Sequence, residues 1–461
     1  MPQPTKTAES VRRRLGAWYT PESLVERVLD LVLEPVLDRG PVVVLDPACG
    51  DGRFLVAAAK RMAHRFGWTF EASSDWVRGL DLDPEAVRVT NERLGWAGAR
   101  VADALTEPWP AAPVVVGNPP FLGQLRRRTA RAVPGNGYAD SAALFWMRAI
   151  EQADHVALVL PRSVLATRDS QPVRARTMAL GAVHTLWLDD QALFDASVRV
   201  CVPVWSRGAV QAEVRRWCGD RPLADAAAPD SRSWSSLIAD QSGAPTPQVG
   251  PGSMGDLAVA VADFRDQYYG LRDAVADDAD GPALVTSGLI DPAICRWGDR
   301  PLRFTKRSFS RPRVLLDALS PAMQDWALRR LVPKVMLATQ TSILEAVADP
   351  DGEWLPSVPV ISVLPRQPEL LWPVAAALLS PGASTWAAHH SAGAGLGPSA
   401  IKLRASQVVE IPLPRQGLEE GAALVKRAHE EPDRRRHWLL EAAHAMAADA
   451  DTVTWWQDRL R

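Results

Sequence analysis

The stretch PVVVLDPACGDGRFLVAAAKRMAHRFG, residues 41–67, decides the fold class. Its apolar run reads as a buried strand, its small and acidic residues as a turn, and the remainder, with apolar residues three and four apart, as a helix. The same order recurs downstream. WVRGLDLDP (76–84) reads as a strand and PEAVRVTNERLG (84–95) as a helix; APVVVGNPPF (112–121) is a third strong strand, SAALFWMRAIEQA (141–153) a helix, and HVALVLPRSVL (155–165) another strand. Repeated strand-helix-strand order predicts an α/β fold: a parallel sheet covered by helices on both faces, with ligands bound at the carboxyl ends of its strands. HTLWLDD and VRVCVPVW, joined by QALFDAS, predict an antiparallel hairpin at the sheet edge.

A chain of 461 residues is too long for one ordinary core, since single cores stop growing at about 250–300 residues. A composition of 47% hydrophobic and 23% charged residues is that of a globular protein. The formal net charge of −2 means that any nucleic-acid surface must be local. Of the 52 basic residues 46 are arginine, which suits bidentate contacts to phosphate or guanine; GC-rich codon usage produces the same bias, so arginine content decides nothing. The four cysteines, Cys49, Cys201, Cys218 and Cys295, are widely spaced without metal-type spacing, and no long apolar segment or signal-like start occurs. A reduced cytoplasmic protein without zinc or membrane insertion is the expectation.

Between residues 218 and 255 the sequence turns rich in Pro, Gly, Ser and Ala and reads as a linker. The expected organisation is a first domain over 1–217, a linker over 218–255, a second domain over 256–415 and a charged helical tail over 416–461, broken at Pro432. In the second domain DLAVAVADFRDQYYGLRDAVAD reads as a helical start, while VPKVMLATQ and VPVISVLP read as strands.

Three motifs carry the chemistry. In LDPACGDGRFL, Asp46 ends a strand and Ala48, Cys49 and Gly50 give a turn that lets backbone pass close to a ligand. The turn lacks GxGxxG spacing and is flanked by acidic residues, so a cationic sulfonium with an amino-acid tail suits it better than a pyrophosphate. In GLDLDP, Asp81 ends the second strand where ribose hydroxyls are held in nucleoside-binding sheets; Leu82 would pack on an adenine ring, and Asp83 before Pro84 reads as a helix cap. Asp103, in VADAL, could accept from a cofactor's adenine amine. The deciding motif is GNPPF: Pro119 and Pro120 stiffen a turn at a strand end, so that Asn118 and the Pro119 carbonyl can both accept from one planar NH2 group. Phe121 offers a face on which a flat ring can stack.

The order YTP (19–21), LDPACGDG, GLDLDP, ADAL, NPPF resembles that of the gamma-class adenine-N6 DNA methyltransferases of type II restriction-modification systems. The resemblance covers nearly the whole chain, tightly up to Pro203 and loosely beyond. It implies a seven-stranded, Rossmann-like methyltransferase sheet followed by a C-terminal α+β target-recognition domain, S-adenosyl-L-methionine as cofactor, and methyl transfer to a flipped-out adenine of double-stranded DNA. Carried over by residue, Thr20, Asp46, Ala48 and Gly50 would line the cofactor's methionine part, Asp81 and Leu82 its ribose and adenine, and Asp103 its adenine amine, with Asn118 also counted among the cofactor-binding residues. Asn118 and Pro119, with Pro120, would hold the target amine and Phe121 would stack on the target base. Phe194 matches a second aromatic against the flipped base; it reads equally as a core residue.

Arg126, Arg127, Arg128 and Arg131 follow NPPF and would hold phosphates beside the pocket, although a solvated charge run has the same composition. In the C-terminal half, Lys306, Arg307 and Lys334 are the expected DNA contacts, and no nuclease constellation stands out. Any nuclease would then sit on another subunit of a restriction or phage-defence system. Two rival readings remain at this level: a methyltransferase acting on an RNA base amine or a protein glutamine amide, and an inactive DNA-binding subunit of a defence complex.

Overall fold

The computed structural model describes residues 20–121, 141–190, 199–231, 233–263, 265–392, 400–447 and 449–460. The chain divides into two units, Met1–Leu237 and Ile238–Arg461.

The first unit is built on a mixed ten-stranded sheet. Its strands are β1 (Val44–Asp46), β2 (Val77–Asp81), β3 (Ala99–Val101), β4 (Val114–Gly117), β5 (His155–Leu158), β6 (Leu160–Pro161), β7 (Gly181–Leu188), β8 (Val200–Arg207), β9 (Glu213–Cys218) and β10 (Arg221–Ala227). The order is β10-β9-β7-β8-β5-β4-β1-β2-β3, with β6 beside β8. β1 through β5 run parallel, while β8 is antiparallel to both β5 and β7. Because β1 sits between β2 and β4, the ends of all three strands and the turns after them lie side by side.

The helices explain why this sheet is buried. In Glu22–Val32 the apolar residues Leu24, Val25, Val28, Leu29 and Val32 make one buried stripe, and in Arg53–Phe66 Phe54, Leu55, Ala58, Ala59 and Met62 make another. Both pack with Val44, Val77, Val114 and Val116 in one core; each fully buried Val or Leu contributes about 1.5–3 kcal/mol.

Three sequence expectations change. Ten strands take part where seven were expected, because β9 pairs in parallel with β7 and carries β10 with it. The β7-β8 hairpin is therefore inside the sheet rather than at its edge, and residues 218–227, expected as linker, are sheet. Val214 and Arg216 are buried within β9, and that inward alternation is masked in the sequence by the Pro-rich and Ala-rich residues after it. The division between units falls at 237/238, inside the 218–255 stretch but after the two added strands.

The second unit is α+β. One four-stranded sheet joins Ala258–Ala262, Ile361–Pro365, Lys334–Leu337 and Ala346–Asp349; another joins Val275–Asp277, Pro312–Val314, Ala283–Val285 and Trp354–Pro356. The expected helical start is a strand over Ala258–Ala262, where alternating Ala and Val lie antiparallel to Ile361–Pro365. The expected tail is part of the core: helices Leu418–Glu430, Arg435–Met446 and Ala450–Gln457 bury Val425, Leu439, Met446 and Trp456 in the same cluster as Val335 and Val363. Among the described residues no helix is long and apolar enough to cross a membrane.

Candidate active site at the carboxyl ends of β1, β2 and β4

The glycine turn after β1 is tied down by carboxylates. Asp46, at the strand end, is buried, and its Oδ1 accepts the Ala48 N–H at 3.0 Å. Gly50 N–H donates to Asp81 Oδ2 at 2.8 Å, and Asp83 N–H to Asp81 Oδ1 at 2.9 Å. Asp81 thus fastens the turn to β2. Thr90, on the helix Pro84–Leu94, donates from Oγ1 to the Gly50 carbonyl at 2.8 Å.

Burial pushes the Asp46 carboxyl up to about 8; the Ala48 N–H opposes this, and the charges of Asp81 and Asp51 add to it. Asp81 is also raised, mainly by burial, against the Asp83 and Gly50 N–H groups. Asp46 and Asp81 thus line the turn with acidic side chains, while Asp51 is ion-paired with Arg53 and Arg93.

The GNPPF corner lies directly beside this turn. β1 and β4 are neighbours, with Val44 opposite Val114 and Leu45 opposite Val115. Gly117 has φ +148°, and a Cβ there would stand 2.4 Å from Asp46 Oδ1; only glycine lets the two strand ends approach so closely. The Gly117 carbonyl accepts Val159 N–H at 2.9 Å, and the Pro120 carbonyl accepts the Ser141 hydroxyl. The Pro119 carbonyl, between them, accepts nothing among the described residues. Asn118 Nδ2 donates to Thr20 Oγ1 at 3.1 Å, leaving Oδ1 without a hydrogen bond among the described residues. Two acceptors without a donor among the described residues thus stand on consecutive residues at the strand end.

The remaining expected site residues sort as follows. Leu82 is 63% exposed, an apolar surface just past the end of β2. Asp103 lies two residues beyond Val101, which pairs with Asp81; its Oδ1 accepts Leu105 N–H at 3.0 Å. Asp83 caps the next helix through Glu85 N–H, as its place before Pro84 suggested. Phe121 is half-buried and leans on the core that contains Val44 and Trp187. Thr20 is buried, bonded to Asn118, and its carbonyl accepts Arg53 Nη1 at 3.0 Å. Arg126, Arg127, Arg128, Arg131 and Phe194 lie outside the described residues.

In the second unit Lys306 and Arg307 are exposed on a hairpin, Leu302–Phe304 against Arg307–Phe309, whose two tip residues, Thr305 and Lys306, both have positive φ. Lys334 corrects the expectation placed on it: it is 0% exposed and ion-paired with Asp349, its cross-strand neighbour. A cation that meets no solvent cannot meet phosphate, and sequence alone does not separate an outward from an inward lysine in VPKVMLATQ.

Sequence reading missed Arg53, Thr90 and Ser141. Arg53 bridges Thr20 to the Asp51 carboxylate, with Nε 3.1 Å and 3.2 Å from its oxygens. No local signal marks an arginine that opens a helix as a strut between two distant motifs.

Residues 5–218 match the model of the N-6 DNA Methylase family. The Type II methyltransferase M.TthHB8I of Thermus thermophilus is 38% identical over 110 residues, 24% of this chain and 22% of that protein. The Type I restriction enzyme MjaIX methylase subunit of Methanocaldococcus jannaschii is 35% identical over 113 residues, 23% of this chain and 19% of that protein. The chain thus aligns with about a fifth of the length of these curated relatives. Among solved structures, a nuclease-deletion mutant of the Type ISP restriction-modification enzyme LlaGI, in complex with a DNA substrate mimic, matches 89% of this chain and 54% of its own at a TM-score of 0.54 and 9% identity. At that identity the likeness is one of fold.

Proposed function

We propose, from the match of residues 5–218 to the N-6 DNA Methylase model, that the chain is an S-adenosylmethionine-dependent methyltransferase acting on the exocyclic amine of adenine in double-stranded DNA. In this reading the first unit is the catalytic domain and the second recognises the target. The observation that carries it is the pair of acceptors, Asn118 Oδ1 and the Pro119 carbonyl, that have no donor among the described residues and stand beside the Asp46–Asp81 turn.

The donor set suits the cofactor. Asp46 and Asp81 offer acceptor oxygens at the turn, which suit a ligand's ammonium and hydroxyl groups better than a phosphate. Asp46, Ala48 and Gly50 would hold its methionine part, Asp81 its ribose, Leu82 and Asp103 its adenine. When bound, the cofactor supplies an electrophilic methyl group on a sulfonium centre.

The chain's own residues do the rest. An adenine amine is planar, with its lone pair delocalised into the ring. Two acceptors on its two hydrogens favour the pyramidal, nucleophilic form and hold those hydrogens as positive charge develops on nitrogen. Pro119 and Pro120 keep that corner from relaxing. Phe121, half-exposed next to the acceptors, would stack on the base once it leaves the duplex. A role in restriction-modification or phage defence, with cleavage on another chain, is consistent with this reading.

The test is incubation of purified protein with labelled S-adenosylmethionine and unmethylated genomic DNA, RNA or protein, followed by mapping of the label. N6-methyladenine in DNA is the expected product. Label in an RNA base or a glutamine amide, or binding without turnover, overturns the proposal in favour of the corresponding rival. Asn118→Ala should lose transfer by at least about 100-fold while binding cofactor nearly as well.

A further inference from the structure

We propose that Thr20 is a positioning residue for the transfer step: its hydroxyl holds the Asn118 amide so that Oδ1 is presented to the reacting amine. The inference rests on the reading of Asn118 given above, and it assigns Thr20 a part other than a contact to the cofactor.

An asparagine presents either an acceptor or a donor, and the torsion that chooses between them is soft. A donor facing the amine would oppose its N–H groups and remove one of the two acceptors. Asn118 Nδ2 is engaged by Thr20 Oγ1 at 3.1 Å, across 98 residues of sequence. A hydroxyl can serve either arm of an amide, so the incoming amine, itself a donor, selects Oδ1. The hydroxyl's part is to take up Nδ2 and fix the amide plane before the amine arrives.

Thr20 is itself held. It precedes Pro21, which keeps it extended, and Pro21's carbonyl accepts Leu24 and Val25 N–H at the start of the helix Glu22–Val32. Its own carbonyl receives Arg53 Nη1, while Arg53 Nε bonds Asp51 in the glycine turn. The link Asp51-Arg53-Thr20-Asn118 thereby joins the turn to the acceptor pair without passing through β1 or β4.

The experiment compares the full-length wild type with Thr20→Val, which keeps shape and burial but removes the hydroxyl, and Thr20→Ser, which restores it. Single-turnover methylation of DNA at saturating cofactor and the Kd for S-adenosylmethionine are measured for each, with thermal unfolding as a control. Thr20→Val should lower the transfer rate about 10- to 100-fold, leave cofactor Kd within about twofold, and be largely rescued in Thr20→Ser. A valine variant that transfers at the wild-type rate overturns the assignment. So does one whose loss lies in cofactor Kd and disappears at saturation, because Thr20 is then a cofactor contact. If Thr20→Val does not fold, Thr20→Ala is judged by the same two measurements. A wild type that leaves adenine unmethylated removes the functional reading first and this inference with it.

Discussion

Replacing Gly117 by alanine tests how closely the acceptor corner depends on the strand end beside it. The added Cβ would lie 2.4 Å from Asp46 Oδ1, about 1 Å inside ordinary contact distance. Asp46 is buried and bonded to Ala48 N–H, so moving its carboxyl aside breaks that bond. An alanine at φ +148° adds backbone strain of about 1–3 kcal/mol, and the lost buried hydrogen bond about 1–3 kcal/mol more. A total near 2–6 kcal/mol is a large share of the roughly 5–15 kcal/mol that holds a domain folded. At about 2–4 °C per kcal/mol for a unit of this size, the melting temperature of the first unit should fall by at least 4 °C. Gly208→Ala is the internal control, since that glycine also has positive φ but a Cβ there meets nothing within 4 Å. Differential scanning calorimetry of both variants isolates the clash from the backbone strain. If Gly117→Ala melts with or above Gly208→Ala, the close approach of the strand ends is not what the structure describes.

Three further outcomes follow from the same coordinates. Asp46 is raised to about 8 by burial, whereas unfolded it titrates near 3.9; between those values the folded chain keeps a proton that the unfolded chain has released, so its contribution to stability must fall as pH rises from about 4 to about 8 and then level off. The difference in melting temperature between wild type and Asp46→Asn, followed across that range, should shrink in favour of the variant, and a flat or rising difference contradicts the buried placement. Lys334→Ala leaves Asp349 without its counter-ion and should destabilise the second unit by about 3–5 kcal/mol while DNA affinity at low temperature stays unchanged; weaker DNA binding with no loss of stability in denaturant titration would place Lys334 at the surface after all. Lys306→Ala with Arg307→Ala, both exposed on one hairpin, should weaken binding at every DNA sequence and reduce the slope of log affinity against log salt by about 2, which a fluorescence-anisotropy salt series reads directly; an unaltered slope removes this hairpin from the interface.

What the sequence disclosed was chemistry confined to short windows. LDPACGDG, GLDLDP and GNPPF are each readable because a strand end, a small-residue turn and a polar group fall within a few positions, and the alternation around them is strong. Contacts that span the chain were not readable: Thr20 with Asn118, Arg53 with Thr20, or Asp81 with Gly50 depend on strand order, which no local pattern contains. The inward turn of Lys334 escaped notice for the same reason, since its partner Asp349 sits on the neighbouring strand. Ala258–Ala262 read as helix because alanine favours helices, yet pairing with Ile361–Pro365 overrode the propensity. β9 was hidden by the composition of the residues that follow it.

The pairing of β9 with β10 also bears on how the first unit could be prepared alone. Ending the chain at residue 217 would remove the last residue of β9 and all of β10, leaving the outer edge of β9 unpaired, a row of open backbone groups able to recruit strands from other molecules. Ending it at residue 237 keeps that seam closed, so the longer fragment should stay monomeric where the shorter one self-associates.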